Sequence, residues 1–212
     1  MRMFFLILAA AVVPCVSIAA PITVHNTGVN GSDSLVAAGA QVSFWTLASE
    51  PAGASEAIGG NPFRYHNGAY FADTATAAWV APTASGNAGV GGNYTYALTF
   101  DLTGLDPTTA SISGIFGTDN NGSISLNGNA AVATTSFGGF GSTTAFSFTS
   151  GFVAGLNTID VTTNNGGDPT AFFVQFNSAA ASTSGVPEPS TMLMVGLGLI
   201  AFASIRRAVV RG

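Results

Sequence analysis

Lysine is absent from this chain of 212 residues, and arginine is nearly absent from its middle. Between residues 20 and 185 Arg64 is the only cationic side chain, against nine acidic ones: Asp33, Glu50, Glu56, Asp73, Asp101, Asp106, Asp119, Asp160 and Asp168. One cation against nine acids gives a charge of about −8, which repels phosphate backbones, so nucleic-acid binding is excluded. Acidic polysaccharides are repelled as well unless a divalent cation bridges them, which favours a neutral exopolysaccharide as a polymer partner of this segment.

Cysteine occurs once, at position 15. It lies in an N-terminal segment, residues 1–19, that has a lone Arg2, an apolar stretch and small residues at Ser17 and Ala19. This pattern is typical of a secretory signal peptide, so we expect a signal helix here and cleavage after Ala19. The exported part would then contain no cysteine, and its stability would depend on burial rather than on a disulfide.

Residue patterns that carry catalysis are also scarce. The two histidines, His25 and His66, form no zinc-type motif, and no Gly-x-Ser-x-Gly element occurs. We therefore predict no catalytic residue and no cofactor other than a calcium ion. A polysaccharide hydrolase stays an alternative, since glycosidases need only a pair of carboxylates.

The middle of the chain does contain a two-residue alternation of apolar and polar side chains. It is clearest over residues 93–103 and recurs near residues 123–127, 145–149, 159–162 and 172–176, where Phe173 points away from the apolar face. Shorter candidate strands are residues 22–25, 41–47, 77–80, 111–116 and 130–134. About ten short strands with one apolar face predict an all-β fold in which two antiparallel sheets pack face to face.

We assign residues 20–177 to this β-sandwich ectodomain. Residues 48–92 are rich in glycine, alanine and proline, and the sequence predicts long loops there with one or two edge strands. Residues 178–185 have small side chains, which is typical of a flexible linker.

The segment 186–212 combines three features in order. Val186-Pro187-Glu188-Pro189 is followed by an apolar run over residues 192–205, which makes up most of a predicted transmembrane helix over residues 191–205. Three arginines come next: Arg206, Arg207 and Arg211. The run predicts a single transmembrane helix of about 21 Å, which anchors poorly in a hydrocarbon core of about 30 Å. Arginines after the helix keep that end in the cytoplasm and place the preceding chain outside. An ordinary single-span anchor behind a proline-rich linker would also account for these features.

This tail resembles the PEP-CTERM sorting signal of Gram-negative bacteria that produce exopolysaccharide. The resemblance implies an exosortase-type processing enzyme as partner, with Val186, Pro187, Glu188 and Pro189 as the recognised motif and the three arginines as a basic stop. It further implies export across the inner membrane, a transient membrane anchor, and then a place at the cell surface or in the extracellular matrix of a biofilm.

A second resemblance covers residues 93–176. The segments FDLTGLDP (100–107), GTDNNG (117–122), LNG (126–128) and SGFVAGLNTID (150–160) look like the jelly-roll ectodomain of PEP-CTERM proteins. That ectodomain is similar to galactose-binding-like and carbohydrate-binding modules. The resemblance implies a jelly-roll sandwich with a glycan site in its loops, so a carbohydrate-binding module for exopolysaccharide is the alternative to a purely structural surface protein.

The predicted loops could hold a calcium ion, either at residues 119–121 or at another loop through Asp33, Asp73 or Asp168. Asp119 and Asn121 offer closely spaced oxygens, which calcium prefers as ligands. A tight hairpin at Asn121-Gly122 with Asx hydrogen bonds accounts for the same residues without a metal.

Aromatic side chains in the predicted loops are candidate sugar contacts. Tyr65 and Tyr70 flank an Asn-Gly turn beside Arg64, so we expect the two tyrosines to be exposed and all three residues to be possible ligand contacts. Trp45 and Trp79 lie within apolar strand patterns, so they are expected to be core residues.

Overall fold

The computed structural model of the protein describes residues 18–54, 56, 58–184 and 195–199. Within this part the chain forms eleven β-strands: β1 Ala19–Pro21, β2 Trp45–Ser49, β3 Phe63–Arg64, β4 Val80–Ala81, β5 Gly92–Asp101, β6 Ser111–Asp119, β7 Gly122–Leu126, β8 Ala133–Thr135, β9 Thr144–Phe148, β10 Leu156–Asn165 and β11 Ala171–Ser182. A single 3-10 turn, Pro107–Thr109, precedes β6, and its first turn is capped by the Asp106 carboxylate, which accepts a hydrogen bond from the Thr108 N–H.

The strands form two antiparallel sheets. Sheet I has the order β3-β4-β11-β6-β9, with β1 also paired to β11, and sheet II has the order β2-β5-β10-β7-β8. Strands β4 to β11 thus lie in the orders 4-11-6-9 and 5-10-7-8, which is the topology of an eight-stranded jelly roll. The predicted all-β, two-sheet antiparallel sandwich is confirmed.

The main core lies between the two sheets. Alternation places Tyr94, Tyr96 and Leu98 of β5 on the inner face of sheet II, and each is at most 1% exposed. Phe172 of sheet I meets them, with its ring stacked on Tyr96 at 4.5 Å between centroids. Trp45 is fully buried in the same cluster, as the sequence predicted.

A second, smaller apolar cluster covers the outer face of sheet I. It consists of Tyr70, Ala77, Trp79, Ala81, Ala171 and Phe173. Phe173 lies on the outer face, as the alternation predicted, but it is fully buried because the loop residues around Tyr70 and Trp79 cover it. The loop region 48–92 therefore contributes to a core, which its composition did not reveal.

The last strand is longer than the sequence predicted. β11 continues to Ser182, and its end pairs with β6 on one side and with β1 on the other, where Ala19 lies opposite Ser182. The assignment of residues 178–182 to a flexible linker is therefore wrong. Small side chains suit a linker, but they also suit a strand whose N–H and C=O groups find partners on both sides.

Residues 22–25 were a candidate strand, and they form none. They run beside β11, but most of the hydrogen bonds that the next two residues, Asn26 and Thr27, make to β11 use side-chain atoms. The Thr27 hydroxyl accepts from the Val174 N–H at 3.0 Å, and the Asn26 side-chain oxygen accepts from the Phe176 N–H at 2.8 Å. Because these bonds use side-chain atoms, the segment does not continue the ladder that β1 begins.

Candidate functional site

One end of the sandwich gathers a buried polar cluster from three loops. Asp119 ends β6, Asn120 begins the connection to β7, and Tyr70 belongs to the loop that covers sheet I. The Tyr70 hydroxyl donates to Asp119 Oδ2 at 2.7 Å, and Asn120 Nδ2 donates to Asp119 Oδ1 at 2.9 Å. Both carboxylate oxygens of Asp119 therefore already accept a hydrogen bond from the protein.

The main chain of Asp119 is held as firmly as its side chain. Its carbonyl oxygen accepts from the hydroxyls of Thr163 at 2.9 Å and Thr170 at 2.7 Å, and both threonines are fully buried. The Gly166 N–H donates to the side-chain oxygen of Asn120 at 2.7 Å, which orients that amide toward Asp119. The cluster is thus a satisfied network, of the kind that fixes loop positions.

Burial changes the acid–base properties of this pair. Desolvation raises the pKa of Asp119, and the hydrogen bond from Tyr70 offsets part of that rise. The pKa of Tyr70 is raised far above its ordinary value, by burial first and then by the Asp119 carboxylate. Tyr70 therefore stays protonated and acts as a hydrogen-bond donor.

A hollow of about 240 Å³ opens next to the cluster. Tyr70, Asp119 and Asp168 line it together with two phenylalanines, Phe137 and Phe140. Phe137 is 67% exposed, so it is the aromatic side chain that this hollow presents to solvent.

The structure brings Tyr65 and Tyr70 together and leaves Arg64 apart from them. The two tyrosine rings meet edge to face at 6.2 Å between centroids. Arg64 instead donates to Asp73 Oδ2 at 3.0 Å and to the Val36 carbonyl. Tyr70 is only 7% exposed and Tyr65 is half-buried, so the expectation of exposed tyrosines is wrong for Tyr70.

Asp119 and Asn121 have different surroundings. Asp119 is 5% exposed, whereas Asn121 is exposed. The hairpin interpretation of Asn121-Gly122 is also wrong, because β6 and β7 belong to different sheets and the chain crosses between them at this point. Among the residues that the structure describes, no three His, Cys, Asp or Glu side chains are grouped as a metal site would require.

A second concavity was missed from the sequence. It has a volume of about 300 Å³ and lies where the loop between β2 and β3 crosses β5. Tyr96 and Glu56 line it, together with apolar side chains that include Leu47, Phe63 and Pro82. Tyr96 looks like an ordinary core position in the alternating pattern, so only the folded loop shows that its side chain lines a cleft. We call this concavity the Tyr96 cleft.

The segment after the sandwich carries the remaining predicted residues. Val186, Pro187, Glu188 and Pro189 and the arginines Arg206, Arg207 and Arg211 lie outside the described residues, as does almost all of the predicted signal helix. Residues 195–199, within the predicted transmembrane helix, are helical. In the described ranges no helix has both the length and the hydropathy of a membrane span.

Comparison with known families identifies this segment. Residues 185–208 match the family described as PEP-CTERM protein-sorting motif. The chain carries a PEP-CTERM sorting motif. The match begins one residue before Val186 and includes Arg206 and Arg207, so it spans the Pro-Glu-Pro element, the apolar run and the first part of the basic stop.

The PEP-CTERM motif indicates a surface protein that is targeted to an exosortase. It also implies export and anchoring of the C-terminal segment in the membrane before cleavage. The resemblance inferred from the sequence is thereby confirmed for the tail. No curated protein and no solved structure matches the chain.

Proposed function

We propose that this chain is an exported, transiently membrane-anchored protein of the cell surface or extracellular matrix of a Gram-negative bacterium, with no catalytic activity of its own. The single observation that carries the proposal is the PEP-CTERM motif at residues 185–208, directly after a folded domain that ends at Thr183. An exosortase-type enzyme would remove the tail and release the sandwich from the membrane.

The chemistry of the tail supports removal rather than permanent anchoring. An apolar run of this length gives a helix of about 21 Å, shorter than the bilayer core of about 30 Å. Proline lacks an N–H and restricts φ, so the sequence around Pro187 and Pro189 favours an extended segment that a processing enzyme can bind.

The surroundings of His25, Asp73 and Asp119 support a non-catalytic role for these three residues. His25 is stacked on Phe44 at 3.5 Å between centroids, with its Nδ1 2.6 Å from Asp33 Oδ1. Asp73 is engaged by Arg64, and Asp119 by Tyr70. The hydrogen bonds and ring contacts of these side chains indicate structural roles. A general acid or base would need access to a substrate proton.

The proposal is tested by following the tail in the native host. Surface-located protein should have an intact mass that lacks the segment after Glu188 or a residue near it. A Pro187→Ala, Pro189→Ala double variant should keep the tail and accumulate in the membrane fraction, because the recognition motif loses both of its prolines.

The matched control is Ser184→Ala, an exposed residue just before the motif, which should be processed like the wild type. Full-length tail on surface-located wild-type protein would contradict the proposal, and so would normal processing of the double-proline variant. Soluble protein in the host cytosol would contradict export itself.

A further inference from the structure

We infer that the Tyr96 cleft binds an uncharged, polyhydroxylated ring, such as one neutral sugar residue. The inference adds a ligand to the proposed surface protein, and it is independent of how the chain is sorted. It depends on two polar groups without partners, on the charge around them and on the apolar walls of the cleft.

Two side chains that line the cleft have buried polar atoms without a partner. The Tyr96 hydroxyl and Glu56 Oε2 make no hydrogen bond among the described residues, although both atoms are inaccessible to solvent. Tyr96 itself is 1% exposed. Buried polar atoms are almost always paired in folded proteins, so an unpaired donor and an unpaired acceptor beside one cleft point to a ligand.

Tyr94, the neighbouring tyrosine on the same face, shows how a buried tyrosine hydroxyl is satisfied by the protein alone. Tyr94 lies two residues before Tyr96 on the same face of β5, and its hydroxyl donates to the Val90 carbonyl at 2.9 Å. Tyr94 does not line the cleft. The same side chain is thus satisfied by the protein at position 94 and left unsatisfied at position 96.

The charge around the cleft excludes an anionic ligand. The Glu56 and Glu50 carboxylates are close enough to Tyr96 to contribute to its strongly raised pKa, after burial as the main cause. Arg64 does not neutralise them, because its guanidinium group is engaged by Asp73 and the Val36 carbonyl. A carboxylate or phosphate ligand would be repelled here.

The walls of the cleft disfavour a bare metal ion and suit a sugar. Leu47, Phe63 and Pro82 present apolar surface, and no metal-type group of three ligands occurs in the described ranges. The amides of Gln41 and Asn61 already donate to main-chain carbonyls. A pyranose has hydroxyls that donate to Glu56 and pair with Tyr96, and C–H faces that pack on the apolar walls.

The size of the cleft agrees with one ring. Its volume of about 300 Å³ is at the lower limit of small-molecule sites, which measure roughly 300–1,000 Å³. A single residue of a neutral polysaccharide would fill it, with the remaining chain in solvent.

The experiment uses the full chain, purified in mild detergent, so that it does not depend on processing of the tail. Binding of the methyl glycosides of glucose, galactose, mannose and N-acetylglucosamine is measured by saturation-transfer NMR and calorimetry. Tyr96→Phe and Glu56→Gln should each weaken binding about tenfold. The first variant removes a neutral hydrogen bond in a desolvated site, and the second replaces a charged acceptor by a neutral one. Tyr94→Phe is the matched control and should leave the dissociation constant unchanged.

Thermal unfolding separates binding from stability. Tyr96→Phe should raise the melting temperature while it weakens sugar binding, because it removes an unpaired buried hydroxyl. The inference is overturned if none of the four glycosides binds, if both variants bind like the wild type, or if calcium or a methyl uronide binds in their place. Failure of these binding tests would leave the sorting proposal untouched, and failure of tail processing would leave the binding result unaffected.

Discussion

Phe172 and Phe173 are consecutive residues of β11, and each is fully buried in a different apolar cluster. Phe172 stacks on Tyr96 between the sheets, whereas Phe173 meets Phe71 edge to face at 4.9 Å on the outer face of sheet I. The central strand of sheet I is therefore covered on both faces, as in a three-layer arrangement of sheet, sheet and loop.

The outer cluster predicts a large effect of a polar change at Phe173. Phe173→Ser should lower the free energy of unfolding by at least about 3 kcal/mol, because it leaves a cavity and buries a hydroxyl. Urea unfolding followed by fluorescence of Trp79, which contacts Phe173, measures the effect. Phe137→Ser is the control, since Phe137 is 67% exposed and its loss should change stability little. Equal effects of the two variants would mean that the loop does not cover sheet I.

The two buried tyrosines of β5 predict opposite effects of the same substitution. Tyr96→Phe should raise the free energy of unfolding by about 1 kcal/mol, because its hydroxyl is buried without a partner. Tyr94→Phe should lower it by about 1 kcal/mol, because the hydrogen bond from the Tyr94 hydroxyl to the Val90 carbonyl is lost. Chemical denaturation of the two variants in parallel is the measurement. Destabilisation by Tyr96→Phe would show that its hydroxyl has a partner in the folded protein.

The raised pKa of Asp119 predicts a pH dependence of stability. Folding raises this pKa above the unfolded value of about 3.9, so the folded state holds the proton more tightly. The resulting stabilisation is complete below the unfolded pKa and is lost as the pH rises through the folded pKa. Asp119→Asn removes this term, so the stability of the variant relative to the wild type should increase as the pH rises from the unfolded pKa through the higher folded one.

Asp101 provides the control of opposite sign for this experiment. Its pKa is lowered, first by the Thr103 hydroxyl and then by the Thr103 N–H. Its contribution to stability is present above the unfolded pKa and is lost as the pH falls through the folded one. Asp101→Asn should therefore lose stability relative to the wild type as the pH rises from the lowered folded pKa to the unfolded one, a window that lies below that of Asp119. Parallel profiles of the two variants would refute the assignment.

Two glycines of one loop test the packing of Tyr65. Gly86 and Gly89 have nearly the same positive φ, 80° and 75°, so an alanine at either position meets a similar backbone strain. A Cβ at Gly86 would also overlap the Tyr65 ring, whereas a Cβ at Gly89 would meet nothing within 4 Å. Gly86→Ala should therefore be about 1 to 3 kcal/mol more destabilising than Gly89→Ala in urea unfolding. A difference near zero would place Tyr65 away from Gly86.

The alternating pattern predicted the long strands well because both sheets bury one face against the other. Residues 93–103 were predicted as a strand, and β5 covers Gly92–Asp101 with its apolar positions inward. The pattern wrongly predicted a strand at residues 22–25. The residues that follow, Asn26 and Thr27, bind β11 through side-chain atoms in place of a backbone ladder. It failed again at residues 178–182, where pairing with β1 and β6 holds small residues in a sheet.

The candidate site was predicted less well, because exposure in a loop is not a property of the loop alone. Tyr70 belongs to a polar, glycine-containing segment, and nothing in that segment shows that it folds onto sheet I and places the Tyr70 hydroxyl on Asp119, 49 residues away. Asn121-Gly122 has the residues of a hairpin, yet the chain crosses there from one sheet to the other. Both outcomes depend on long-range pairing, which local propensity cannot encode.

The sequence alone determined the class of fold and the presence of the PEP-CTERM sorting motif. Period-two alternation is a local property of a half-buried strand, and the PEP-CTERM motif is a linear signal that is read without a fold. Only the tertiary structure decided that a loop covers the outer face of sheet I, that Tyr70 is bound to Asp119, and that Tyr96 lies at a cleft with its hydroxyl unpaired. The physical reason is that burial and hydrogen-bond satisfaction are properties of neighbours in space, and these neighbours are contributed by segments far apart in the chain.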